Sequence, residues 1–131
     1  MATKNMGYAA VCNTGRLHKP LFFDVCTEVL AFPVIRDKLV LNVNDGLRGQ
    51  YGGGPGPAAK YVYDLHTLYF ATDPFALDML CHNQIVKKRK EMGMEVNEHP
   101  KYTQYLHYAQ ELKLGIADPA RINHQRIELV G

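Results

Sequence analysis

The residues here whose types and spacing could do chemistry are carboxylates set beside a flexible backbone. Asp45 opens a stretch that includes Tyr51-Gly52-Gly53-Gly54-Pro55-Gly56-Pro57, and Asp73 and Asp78 bracket Pro74-Phe75-Ala76-Leu77. Carboxylates that converge could bind a cation or act as a general base, and glycine N–H groups could receive an anionic substrate. On that reading Asp45, Asp73 and Asp78 are the candidate catalytic residues, and Gly52, Gly53 and Gly54 are candidate ligand-binding residues. Lys4 and His18 add positive charge for a small anionic ligand, with simple solvation as the alternative. Asp78, Cys81 and His82 stand at i, i+3 and i+4, so Asp78 and His82 could share a metal, whose identity the spacing leaves unknown, with a hydrogen-bonded pair or independent side chains as the alternative. Each acid also has a structural reading: Asp73 as a helix N-cap, Asp78 as a buried acceptor, Asp45 as a turn residue.

These residues need elements to position them. The apolar run 38–43 reads as a buried strand stopping at the turn signal Asn44-Asp45-Gly46, and the glycines and prolines between Gly46 and Lys60 exclude a regular element there. Residues 67–71 read as a second strand. Asp73 and Pro74 then begin a helix that places Leu77, Leu80, Cys81, Gln84 and Ile85 over successive turns until Gly93 ends it. If the two strands are parallel neighbours, Asp45, Asp73 and the glycine loop share one rim; if antiparallel, the two aspartates lie at opposite edges. The connection shows no helical pattern, whereas parallel crossovers usually use one.

Upstream, residues 7–12 suggest a short strand and Asn13-Thr14-Gly15-Arg16 a turn. Pro20 starts a helix with Leu21, Phe22, Val25, Val29 and Leu30 on one face, which Pro33 closes. Downstream, Glu98-His99-Pro100 introduces a helix carrying Tyr102, Tyr105, Leu106, Ala109, Leu112 and Leu114, with Gly115 as its cap. Residues 126–130 alternate like a final edge strand. The expectation is one α/β domain over residues 1–131, a mixed or partly parallel sheet packed with three main helices.

Composition narrows the function classes. In 131 residues, 47% hydrophobic content is enough for one core, and a formal net charge of +2 gives no broad basic surface. The run Lys87-Lys88-Arg89-Lys90 falls at a helix end, where cations complement the dipole, so nucleic-acid binding is not expected. No apolar run has the length of a membrane span. Cys12, Cys26 and Cys81 are far apart and form no Cys-x-x-Cys pair, so no iron-sulfur cluster motif is present and any cofactor is unknown. The first residues show no signal peptide, which makes a cytoplasmic setting the default.

Several segments taken together resemble a known family. Asp45-Gly46-Leu47-Arg48-Gly49-Gln50-Tyr51, Gly53-Gly54-Pro55-Gly56, Thr72-Asp73-Pro74-Phe75-Ala76-Leu77-Asp78, Lys88-Arg89 and Leu114-Gly115-Ile116 are similar in order and spacing to the domain of unknown function 362 family. Thr3-Lys4-Asn5 and His18 resemble its upstream Lys-Asn and His elements, which adds Asn5 to the candidate ligand-binding residues. Some members are associated with iron-sulfur proteins through cysteine-rich segments this chain lacks. Members are about twice as long, many with export signals, and the chain resembles their C-terminal half. The resemblance therefore implies either a short form that completes itself as a homo-oligomer or a piece that pairs with a missing N-terminal half. Three function classes stand: a small-molecule or metal-dependent enzyme domain with a carboxylate and glycine-loop site, a non-catalytic redox-associated ligand-binding module, and a self-associating structural subunit.

Overall fold

The longest element, α4 (Pro74–Glu91), has both of its ends written into the chain. Asp73 Oδ1 accepts hydrogen bonds from the backbone N–H groups of Phe75 at 2.8 Å and Ala76 at 3.0 Å, and Pro74 occupies the first helical position. At the other end Gly93 adopts φ 64° while its N–H donates to Lys90 O and that of Met94 to Arg89 O, the paired bonds of a Schellman motif. A computed structural model of the chain describes residues 2–12, 14–16, 18, 21–96 and 99–129. The expected helix start at Pro20, the Asn13 of the expected turn, the Glu98 that introduces the later helix and the Val130 end of the last expected strand lie outside these residues.

Helices α1 (Ala2–Ala9), α2 (Phe22–Ala31) and α5 (Gln104–Glu111) surround the first half of α4, and Pro33 closes α2 and opens the single turn α3 (Pro33–Arg36). The apolar spacing in α2 buries Val25, Cys26, Val29 and Leu30 against Phe75 and Met79 of α4 and Tyr105, Leu106 and Ala109 of α5. Each fully buried side chain the size of Leu or Phe contributes about 1.5–3 kcal/mol, so this four-helix contact is the stability centre of the domain. No helix among the described residues is long and apolar enough to cross a membrane.

The domain is α/β, as expected, but its sheet is a single antiparallel pair, β1 (Asn42–Gln50) and β2 (Val62–Ala71). This corrects the expectation of a mixed or partly parallel sheet: the connection from Tyr51 to Tyr61 holds only one 3-10 turn, so it closes a wide hairpin. It also corrects the strand boundary, because β1 runs straight through Asn44-Asp45-Gly46. The reason lies on β2. A Cβ on Gly46 would meet the Tyr69 ring at 2.7 Å, and one on Gly49 would meet the Tyr63 ring at 2.5 Å, so these glycines are places where tyrosines lie across the strand. Opposite Leu47 the ladder is irregular, with Leu65 and His66 filling the space of one residue and His66 at φ 52°.

Three further differences have local causes. Residues 2–9 are helical where a strand was expected over residues 7–12, because the first turn of α1 is capped from another element, as described below. The α5 terminus is closed by Lys113, at φ 58°, and not by Gly115: Lys113 N–H donates to Gln110 O and Leu114 N–H to Ala109 O. The expected final strand is unpaired over its described part, residues 126–129.

Candidate functional site

Asp78 sits at the centre of the helical layer, 2% exposed. Its Oδ1 accepts from Ala2 N–H at 2.5 Å; its Oδ2 accepts from Thr3 N–H at 3.1 Å, from the Thr3 hydroxyl, and from the Tyr105 hydroxyl at 3.4 Å. A carboxylate from α4 thus satisfies the orphan N–H groups at the start of α1, and negative charge is favoured at that end of the helix dipole. Its neighbours respond. Burial, and then the Asp78 charge, push the Cys26 thiol up to about 11 and raise the Tyr105 phenol, so both stay protonated. A neutral thiol of this kind is a packing group and not a nucleophile.

Asp73 is similarly engaged. Besides capping α4 through Oδ1, it accepts Ile116 N–H on Oδ2 at 2.7 Å, which holds the 114–117 segment against the helix start. Gly115 is needed there because a Cβ would collide with the Asp73 carboxylate and approach Phe75 Cδ2 to 2.8 Å. Asp45 lies apart from both: it is exposed within β1, and its Oδ1 accepts Leu47 N–H at 2.8 Å. The antiparallel pairing therefore leaves Asp45 on the sheet while Asp73 and Asp78 face the helices. Of the helical triplet, Cys81 receives a 3.1 Å hydrogen bond from Asn44 Nδ2, and desolvation lowers the His82 pKa below its ordinary value. No group of three or more His, Cys, Asp or Glu that could hold a metal ion occurs among the described residues.

The glycine loop belongs to the far end of the hairpin. Gln50 closes it, donating from Nε2 to Gly52 O at 2.9 Å and Gly56 O at 3.0 Å and accepting Ala58 N–H on Oε1 at 3.1 Å. Gly53 has φ 71° and Gly52 lies under the Tyr61 ring, whereas Gly54 is open. Arg89 joins this loop to the end of α4 by donating to Tyr51 O at 2.9 Å and to Glu95 O at 2.6 Å. On the other side of the domain the Lys4 ammonium stands 5.4 Å from the centre of the Tyr8 ring and the His18 ring packs on Tyr8 at 4.7 Å. Lys4 and His18 each pack on the Tyr8 ring, and Asn5 is exposed on the helix that carries Lys4.

Two shallow, open hollows of about 340 and 330 Å³ lie elsewhere. One is lined by Arg48, Ala59, Val62, Tyr63 and Asp64 and the other by Asp24, Glu28, Gln104, His107, Tyr108 and Glu111. Neither includes Asp45, Asp73 or Asp78. What the residue-type reading missed is the outer face of the hairpin. The inner face packs Tyr63, Leu65, Thr67 and Tyr69 toward α4, while Val43, Leu47, Leu68 and Phe70 each remain more than half exposed, Phe70 at 64%. Val43 is directly opposite Phe70, and Arg48 pairs with Asp64 at 3.2 Å on the same sheet. The alternating burial of β2 runs through Val62–Ala71, whereas the strand expected from the sequence covers only residues 67–71.

Comparison with known proteins finds no matching family model, no matching curated protein and no matching solved structure.

Proposed function

We propose that this chain is a self-associating structural subunit whose helical layer presents the outer face of the β1–β2 hairpin to a second copy. The observation that carries the reading is the apolar set Val43, Leu47, Leu68 and Phe70, with Asp45 among them opposite Leu68, on a sheet that has no third strand among the described residues. A two-stranded sheet needs cover on its apolar face to be stable. A second copy suits this face because Arg48 and Asp64 lie side by side on it, so two copies related by a two-fold axis offer each other opposite charges. Asp45, opposite Leu68 on the same face, already accepts Leu47 N–H. The resemblance to the domain of unknown function 362 family, which implies a homo-oligomer as one of its outcomes, is compatible with this reading.

An enzyme site built on Asp73 and Asp78 would need those carboxylates to release the backbone donors they hold. The assembly reading needs no such rearrangement. Sedimentation equilibrium of the full chain against Leu68→Asp/Phe70→Asp tests it: the expected result is a reversible dimer converted to a monomer with unchanged helical circular dichroism. A wild-type chain that stays monomeric at high micromolar concentration would reject the proposal.

A further inference from the structure

We propose that the loop between β1 and β2 binds an oxyanion of the phosphate class, held by the N–H groups of Gly52, Gly53 and Gly54 and by the Lys60 ammonium. This site is independent of self-association, because the loop lies beyond the Gln50 and Val62 pair, at the opposite end of the hairpin from Val43 and Phe70. The loop uses carbonyls to hold its shape and leaves glycine donors over. Gln50 Nε2 donates to Gly52 O and Gly56 O, Arg89 donates to Tyr51 O, and Ala58 O accepts Tyr61 N–H. Among the described residues the N–H groups of Gly52, Gly53, Gly54 and Gly56 have no acceptor.

Gly53 takes φ 71° while Gly52 and Gly54 stay outside the left-handed region. Alternation of this kind turns successive N–H groups toward one side and makes a concave seat for an anion. No atom of the chain stands within 4 Å of where a Gly54 or Gly56 side chain would be, so a ligand can approach there. The charge around the seat has one sign, since residues 51–63 contain no Asp or Glu. Lys60 Nζ lies 4.8 Å from the centre of the Tyr61 ring, the ring on which Gly52 and Gly53 pack. Lys88 reaches the neighbouring Tyr63 ring at 5.3 Å but bridges to Glu91 at 3.3 Å, and Arg89 is committed to Tyr51 O and Glu95 O. Of these three cations Lys60 is the one left for a ligand, while Arg89 adds fixed positive charge at the base of the loop. Backbone donors beside a point cation, with no acidic side chain among them, suit the oxygens of free phosphate or of a phosphomonoester.

Amide-resolved nuclear magnetic resonance of the full chain, titrated with inorganic phosphate at constant ionic strength, tests this. The expected result is a saturating shift of the Gly52, Gly53 and Gly54 amides, and Lys60→Gln, an exposed substitution, should raise the dissociation constant about fivefold or more. Phenyl phosphate titrated in parallel separates the two sources: tighter binding than inorganic phosphate assigns a phosphomonoester, weaker binding assigns free phosphate, and either order supports the site. Absence of a saturating shift at these amides, or equal shifts when chloride replaces phosphate, would overturn it. So would saturation that Lys60→Gln leaves unchanged. Because the readout is confined to the loop, it stands or falls separately from the dimer measured by sedimentation.

Discussion

The helical layer and the hairpin solve the same problem in opposite ways. Around Asp78, α1 and α5 supply backbone, hydroxyl and phenol donors to one buried carboxylate, and apolar side chains close over it. On the hairpin, glycines admit tyrosines on one face, and among the described residues Val43, Leu47, Leu68 and Phe70 on the other stay more than half exposed. The difference teaches where packing is concentrated: the helices bury their apolar faces against one another, and the sheet leaves the apolar side chains of one face exposed.

The comparison breaks most sharply at Asp78. Asp78→Ala leaves the Ala2 and Thr3 N–H groups and two hydroxyls without their acceptor, and should cost roughly 3 kcal/mol in urea unfolding, with α1 released first in hydrogen exchange. Substitutions on the hairpin outer face, by contrast, should stay within about 0.5 kcal/mol of the parent once the protein is monomeric. Gly115→Ala comes next: the added methyl displaces the segment clamped by Asp73, with an expected loss of about 1–3 kcal/mol in the same assay. The smallest effect has the other sign. Lys113 holds a left-handed conformation at the α5 terminus that Gly93 holds without a Cβ at the α4 terminus. Lys113→Gly should therefore raise the unfolding free energy by about 0.5–1 kcal/mol.

Some of this was readable in the chain and some was not. Asp73-Pro74 and Gly93 bound α4 because a cap acts within a few residues of itself, and the apolar spacing of α2 reports its buried face for the same local reason. α1 could not be read, since its cap is supplied by Asp78 from another helix. The glycines of β1 read as a turn because a sequence does not reveal that Tyr63 and Tyr69 lie over them. For Asp73 and Asp78 the structural readings, a helix N-cap and a buried acceptor, match the hydrogen bonds they make. Their separation from Asp45 followed from strand direction, which pattern alone leaves open.

The bond between Ala2 and Asp78 spans 76 positions of chain. As the polypeptide leaves the ribosome, α1 emerges long before the carboxylate that completes it, and so does most of the surface it packs on. The first turn of α1 is thus among the last parts of the domain to become secure, while the packing of α1 on α2 is available earlier. Its docking reports that α4 has formed, which makes the amino-terminal turn a marker of finished folding instead of a nucleus for it.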